Sequence, residues 1–121
     1  MSLKDTDDAS AAVATHPRVA LADIEEAIKY KFFTLASAGI VTRIILRDTP
    51  LETMTLCFLV MKNGFVVVGK SAPASPANFN KELGEKFAYE DAVRQLWPLM
   101  GFALRERLSQ GVEPDADGRY A

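Results

Sequence analysis

The sequence predicts an α+β fold in which a small antiparallel sheet packs against helices. Two observations predict it. A β-rich hairpin is centred on Asn63-Gly64, and this dipeptide between apolar strand residues is the strongest short-range hairpin signal. On both sides of the hairpin, apolar residues recur at three- and four-residue steps, which is typical of amphipathic helices. We therefore expect a sheet of about three strands, packed by an N-terminal helix and by a kinked C-terminal helix pair.

The hairpin sequence also predicts a strand register. If Asn63-Gly64 is a two-residue type I′ turn, Val66 and Val68 lie on the same face as Leu59. Both faces of the hairpin are then apolar, whereas a half-exposed antiparallel sheet alternates apolar with polar residues. We therefore expect a helix on one face and a second helix or a partner subunit on the other. This pattern predicts an even-numbered homo-oligomer, at least a dimer, with a hexamer as one such assembly.

The N-terminal third predicts a tail, a helix and a strand. Residues 1–17 show no apolar periodicity and predict a flexible tail. The first helix is expected to begin near Asp23, which forms a capping-box pattern with Glu26, and to end at Gly39. Residues 40–47 are rich in β-branched residues and predict the first strand.

The C-terminal third predicts two helical pieces and a second tail. The first piece is expected to begin at Asn78 or Asn80 and to run to Trp97. Pro98 should break or kink it, so that a further helix covers Leu99 to Ser109. Residues 112–121 predict a flexible C-terminal tail, which leaves residues 18–111 as a single α+β domain.

Composition argues against several classes of protein. The chain has 121 residues and a formal net charge of −2, which argues against bulk nucleic-acid binding. Cys57 is the only cysteine and His16 the only histidine, so no disulfide framework or Cys-rich zinc site is expected. No apolar run reaches the roughly 18 residues of a membrane span, and we expect no membrane partner. Because no phosphate loop or nucleophile motif is present, we expect a protein that is not an enzyme, with no catalytic residues, cofactor or metal.

The remaining aromatic, amide and basic residues favour ligand binding. Phe79 is flanked by two asparagines at a predicted helix N-terminus, where free backbone amides favour an anion. A nucleotide is recognised by an aromatic face, polar contacts to the base edge and cations at the phosphates. The predicted ligand-binding residues are Phe79, Asn78, Asn80, Arg105, Arg107, Arg43 and Lys70.

Several of these residues also have structural interpretations. Phe79 is equally well explained as a core residue that docks the helix. Arg43 on an edge strand would protect against aggregation, and Arg105 and Arg107 would suit the end of a helix because cations interact favourably with its dipole.

A series of motifs between Val60 and Leu108 points to a family. It comprises Lys-Asn-Gly-Phe at a strand end, Pro-Ala-Asn-Phe-Asn at a helix start, Ala-Tyr-Glu-x-Ala, and Trp-Pro-Leu-x-Gly. With these motifs the chain resembles a widespread family of small tailed-phage proteins, named after gene-49 and gene-66 products of two enterobacterial phages. Where many relatives carry Ala-Cys-Val-Asp before Pro-Ala-Asn, residues 72–75 are Ala-Pro-Ala-Ser, and where many carry Asn after Tyr-Glu, this chain has Asp91.

The chain is also similar to phage anti-defence proteins of the first type described against the Thoeris system. That resemblance implies an oligomeric sponge in the host cytoplasm. Such a sponge binds a nucleotide second messenger, a glyco-cyclic ADP-ribose isomer, without cleaving it. Some relatives also hold cyclic oligonucleotides of CBASS defence in a separate pocket. Two alternatives are a protein–protein inhibitor or adaptor that acts on a host protein, and a hydrolase of cyclic nucleotides.

Overall fold

The structure, a computed structural model, describes residues 2–42 and 48–111. These residues contain three antiparallel strands that form one sheet in the order β1-β2-β3, together with three α-helices, which confirms the predicted α+β class. The chain divides into two compact units, the terminal unit (residues 1–27 and 95–121) and the sheet unit (residues 28–94). The elements are α1 (Leu3–Val13), α2 (Leu21–Ala27), β1 (Ile28–Leu35), β2 (Thr55–Met61), β3 (Val66–Ser71) and α3 (Lys81–Ser109).

The core of the sheet unit lies between the central strand and the first part of α3. Alternate residues of β2, from Thr55 to Met61, are buried, and so are Ala88, Ala92 and Val93 on the helix. Gly69 makes this close packing possible, because a Cβ atom there would overlap the Ala88 carbonyl oxygen and lie 2.6 Å from the Ala92 nitrogen. A helix thus covers one face of the sheet, as expected.

The hairpin lies where predicted, but the predicted turn type is wrong. Gly64 has a φ of +91°, whereas Asn63 does not adopt a positive φ, so a type I′ turn is not formed. The Gly64 N–H donates to the Met61 oxygen at 2.9 Å, and the Met61 N–H to the Phe65 oxygen at 2.8 Å. The Asn63 side-chain oxygen accepts from the Phe65 N–H at 2.9 Å. The connection is therefore a three-residue loop that ends on a left-handed glycine.

The longer loop shifts the register of the hairpin by one residue. Val60 pairs with Val66 and Leu59 with Val67, instead of Val60 with Val67 and Leu59 with Val68. Because side chains alternate along a strand, a shift of one residue exchanges the two faces. Val67 is accordingly buried, while Val66 and Val68 are exposed on the other face.

The first strand lies within the segment that was predicted to be helical. Only residues 21–27 of that segment form a helix, α2, and the chain continues as β1 and a 3-10 turn over Ala36–Gly39. Tyr30 pairs with Val60 and Phe32 with Phe58. The aromatic and β-branched residues of this segment favour a strand, and pairing with the central strand outweighs the helical spacing. Of the predicted strand at 40–47, residues 40–42 are not in a strand and the rest, including Arg43, lies outside the described residues.

The N-terminal segment that was predicted to be a loose tail contains α1. Ser2 caps this helix by accepting from the Asp5 N–H at 3.0 Å. One Asp7 carboxylate oxygen accepts from Arg18 at 2.8 Å and from the Leu21 N–H at 3.0 Å, which joins α1 to the start of α2. The predicted C-terminal tail, 112–121, lies outside the described residues, and the bounds of the predicted single domain stay a prediction.

The expected C-terminal helix pair is one continuous helix, α3, with Pro98 inside it. A proline removes one backbone hydrogen bond, and the neighbouring turns of α3 keep theirs. Gly111 follows the helix with a φ of +73°, which agrees with the predicted stop. No helix within the described ranges is both long and apolar enough to span a membrane.

Candidate functional site

A shallow pocket opens in the sheet unit where β3 leaves the sheet and α3 begins. Its volume is about 170 Å³, below the roughly 300–1,000 Å³ of pockets that enclose a whole small molecule. None of the described residues that line it carries a charge. The lining residues are Thr53, Ser71, Ala72, Pro73, Asn78, Phe79, Asn80, Leu83, Gly84 and Phe87.

Phe79 is positioned by the turn that precedes α3. The 3-10 turn Pro76–Asn78 ends with the Phe79 N–H donating to the Pro76 oxygen at 3.1 Å, and Pro76 presets the first backbone angle of this turn. Gly84 lies beside the ring. A Cβ atom there would lie at an ordinary contact distance of 3.9 Å from Phe79 Cε2 but only 2.6 Å from Thr55 Oγ1, so it is the approach of Thr55 that requires the glycine. Phe79 is half-buried, so part of its ring remains open to the pocket.

The two asparagines beside Phe79 differ in what they offer a ligand. Asn80 caps α3, since its side-chain oxygen accepts from the Leu83 N–H at 3.0 Å. The NH₂ group of Asn80 is therefore the part of its side chain best placed to contact a ligand. Asn78 is exposed at the pocket rim, where either end of its amide can be used.

No basic residue is among the described residues that line this pocket. Lys70 pairs with Leu56, and its side chain lies on the opposite face of the sheet from Ser71, which lines the pocket. The Lys70 N–H donates to the Asp91 carboxylate at 2.9 Å. Arg105 and Arg107 lie on the part of α3 that belongs to the terminal unit, and Arg43 lies outside the described residues.

Two pocket residues, Leu83 and Phe87, were not predicted for the site. They lie on the same apolar side of α3 as Ala88 and Ala92, yet they are 49% and 48% exposed. This apolar side contains two rows of residues, which are offset by one residue, or about 100° of helix rotation. The row of Ala88 and Ala92 packs on Gly69, and the row of Leu83 and Phe87 continues from Phe79 along the pocket wall. The four-residue spacing of Phe79, Leu83 and Phe87 is the sequence signal that could have distinguished the pocket row from the core row.

A comparison with protein families finds one match. The model of a family described as "Phage protein (N4 Gp49/phage Sf6 gene 66) family" matches residues 19–108, a range that includes every lining residue of the pocket. No curated protein and no solved structure matches the chain. The predicted resemblance to the gene-49 and gene-66 phage proteins is thus confirmed.

Proposed function

Because the chain belongs to the Phage protein (N4 Gp49/phage Sf6 gene 66) family, we propose that it is a phage anti-defence protein. In this proposal it binds a cyclic nucleotide immune messenger and holds it without cleaving it. The observation that carries the proposal is the pocket in which Phe79 lies between Asn78 and Asn80. The ligand class, of the glyco-cyclic ADP-ribose type with CBASS cyclic oligonucleotides as a second class, comes from the resemblance to Thoeris anti-defence proteins.

The chemistry of the pocket favours the base of a nucleotide over its phosphates. The lining is uncharged and largely apolar, with aromatic rings at Phe79 and Phe87. Stacking on such a ring contributes about 1–3 kcal/mol per base, and the two amides supply donors and acceptors for the base edge. The small volume leaves the sugar and phosphate groups outside this pocket.

A sponge needs affinity and slow release, and it does not need to lower a reaction barrier. The proposal therefore assigns no catalytic residue and no cofactor. The phosphate contacts predicted from the sequence, Arg105, Arg107 and Arg43, stay separate predictions that the pocket does not carry, and the protein is proposed to act as a homo-oligomer in the host cytoplasm.

The proposal is tested by mixing the protein with the Thoeris messenger, or with a cyclic dinucleotide, and recovering the protein by filtration. The filtrate should be depleted of messenger, and boiling the protein should return the messenger intact. Phe79→Ala should weaken binding about 5- to 150-fold, the loss that corresponds to about 1–3 kcal/mol. Arg105→Ala and Arg107→Ala should weaken it as well if these residues contact phosphates.

Phe65→Ala is the matched control for Phe79→Ala. Phe65 lies in the same unit, is 52% exposed and is not among the residues that line the pocket, so its truncation should leave affinity unchanged. Release of a cleaved product over many turnovers would show an enzyme instead. If wild type depletes neither messenger class, the sponge proposal fails and an inhibitor of a host protein becomes the better explanation.

A further inference from the structure

Thr55 is the one residue with a polar side chain that is buried within the part of the chain that the structure describes. It begins β2 and is only 3% exposed. Its backbone pairs with both neighbouring strands, but its hydroxyl makes no hydrogen bond to any described residue. A buried hydroxyl without a partner costs free energy and is rare in native proteins. The Thr55 hydroxyl therefore needs an explanation beyond packing.

The Thr55 hydroxyl lies directly behind the pocket. Ser71, the cross-strand partner of Thr55, lines the pocket, and so does Gly84. Thr55 Oγ1 takes up the space that a side chain at Gly84 would need, since a Cβ atom there would lie 2.6 Å from it. Thr55 itself is not among the described residues that line the pocket. A ligand in the pocket can therefore engage this hydroxyl only through a neighbouring group.

Ser71 is the neighbouring group that can make this link. Directly paired residues of an antiparallel sheet carry their side chains on the same face, with Cβ atoms about 4.5–5.5 Å apart. Rotation about the Cα–Cβ bond of Ser71 can therefore bring its hydroxyl within hydrogen-bond distance of Thr55. The Ser71 hydroxyl is half-buried and also makes no hydrogen bond to a described residue. Because a hydroxyl can donate one hydrogen bond while it accepts another, Ser71 can bond Thr55 and a ligand at once.

We propose that Thr55 is a positioning residue that holds the Ser71 hydroxyl against the ligand. In the complex the Thr55 hydroxyl donates to Ser71 Oγ, and the Ser71 hydroxyl donates to an acceptor atom of the bound base, either a ring nitrogen or a carbonyl oxygen. Hydrogen bonds in such a chain strengthen one another, and the ligand selects the rotamer of Ser71 that also gives Thr55 its partner. This inference rests on the proposed function, because it assigns roles within the same pocket.

A fixed water molecule beside Thr55 is the structural alternative. Such a water would satisfy the hydroxyl in the free protein and would give Thr55 no role in binding. The two explanations predict different effects on stability when the hydroxyl is removed. Removing an unpaired buried hydroxyl leaves the stability of the free protein unchanged or raises it, whereas removing a hydroxyl that is bonded to a buried water lowers it.

Thr55→Val separates the two explanations, because it replaces the hydroxyl by a methyl group of similar shape. The urea midpoint of the free variant should equal or exceed that of wild type, while its affinity for the Thoeris messenger or for a cyclic dinucleotide should fall about 5- to 30-fold. Thr55→Ser keeps the hydroxyl and should restore the affinity. Thr34→Val is the matched control and should leave affinity unchanged, since Thr34 is not among the lining residues and its hydroxyl already donates to the Leu35 oxygen at 3.1 Å.

Ser71→Ala gives a second test that leaves the core intact. It should lose at least as much affinity as Thr55→Val, and the double variant should lose no more than Ser71→Ala alone, because both changes interrupt the same chain of hydrogen bonds. If wild type binds, the inference is overturned by a lowered urea midpoint of Thr55→Val, by wild-type affinity of either single variant, or by additive losses in the double variant. A wild type that depletes neither probe overturns the proposed function, and this inference with it.

Discussion

Gly69 is the residue on which the packing of the sheet unit depends most directly. It lies opposite Cys57 in the sheet and meets the backbone of α3 at Ala88 and Ala92. The sequence shows this glycine plainly, but a glycine inside a strand suggests either a bulge or a close approach of another backbone. Whether Gly69 marks a bulge or a close approach depends on the strand register. The hairpin loop has one residue more than predicted, and this shifts the register by one residue.

Gly69→Ala should therefore destabilise the protein. The new methyl group would overlap the Ala88 oxygen, and overpacking of this kind costs about 1–3 kcal/mol of the free energy of unfolding. Urea denaturation followed by circular dichroism measures the change.

The same substitution at Gly101 is the matched control, and its effect should have the opposite sign. A Cβ atom at Gly101 meets nothing within 4 Å, and Gly101 lies inside α3. Replacing a helical glycine by alanine should stabilise by about 0.5–1 kcal/mol. Equal effects at the two positions would contradict the close contact between β3 and α3.

At the scale of elements, one carboxylate joins α1 to the start of α2. Ala20 precedes α2 and has no side-chain acceptor with which to cap it, and Asp7 supplies that acceptor from α1. The Arg18 guanidinium beside it lowers the pKa of the Asp7 carboxyl, and the Leu21 N–H adds to this effect. Stability from this contact is therefore fully present above about pH 4 and is lost as the pH falls through the lowered pKa.

Asp7→Asn should lower the free energy of unfolding by up to about 1 kcal/mol at neutral pH, because the neutral amide loses the charge that pairs with Arg18 while its oxygen can still accept from the Leu21 N–H. The difference in the free energy of unfolding between Asp7→Asn and wild type should stay constant above about pH 5. It should shrink below about pH 4, because the Asp7 carboxylate of wild type then becomes protonated and loses its charge too. Denaturation curves between pH 3 and pH 7 measure it.

Asp8→Asn provides the comparison for Asp7→Asn. Asp8 pairs with Lys4 on the surface and its side chain is 57% exposed, so its loss should have little effect at any pH. If the difference in the free energy of unfolding between wild type and Asp7→Asn increased toward low pH, the role given to Asp7 would be wrong.

The sequence predicted elements well where local signals agree and poorly where distant pairing decides. The hairpin position and the end of the last helix follow from Asn63-Gly64 and Gly111. The spacing of apolar residues in 28–35 fits both an amphipathic helix and a strand, and only pairing with β2 decides between these two structures. The helix at Leu3–Val13 did have a local signal, because Ser2 and Asp5 form a capping box.

At the scale of the molecule, Cys57 reports whether the sheet unit opens. Its side chain is fully buried, and burial raises the pKa of the thiol to about 11, an effect that Lys31 opposes. The thiol is thus protonated and shielded at pH 8, and it should react only in molecules whose sheet has opened.

A coloured thiol reagent at pH 8 should accordingly label the native protein at least about 100-fold more slowly than the urea-unfolded protein, as expected for an opening free energy of about 3 kcal/mol. The double variant Cys57→Ala with Ser75→Cys moves the thiol to an exposed position and should react quickly in both states. Fast labelling of native wild type would contradict the buried position of Cys57.

The candidate site was predictable in part. The contiguous motif Asn78-Phe79-Asn80 supplies three of the residues that line the pocket, and their role as ligand contacts stays a prediction. The pocket walls could not be found in this way, because Thr53, Ser71 and Phe87 come from three segments that only the fold brings together. For the same reason the sequence grouped Lys70 with Phe79, although strand alternation places the Lys70 side chain on the opposite face from Ser71, which lines the pocket.

The indole N–H of Trp97 donates to the Val19 oxygen at 3.0 Å and so joins two residues that are 78 positions apart. The terminal unit is assembled from both ends of the chain, whereas the sheet unit is one uninterrupted segment. Synthesis finishes the sheet segment before it reaches Trp97, so Val19 is made long before its indole partner. The contact between Val19 and Trp97 can therefore form only after the segments on both sides of the sheet unit have been made.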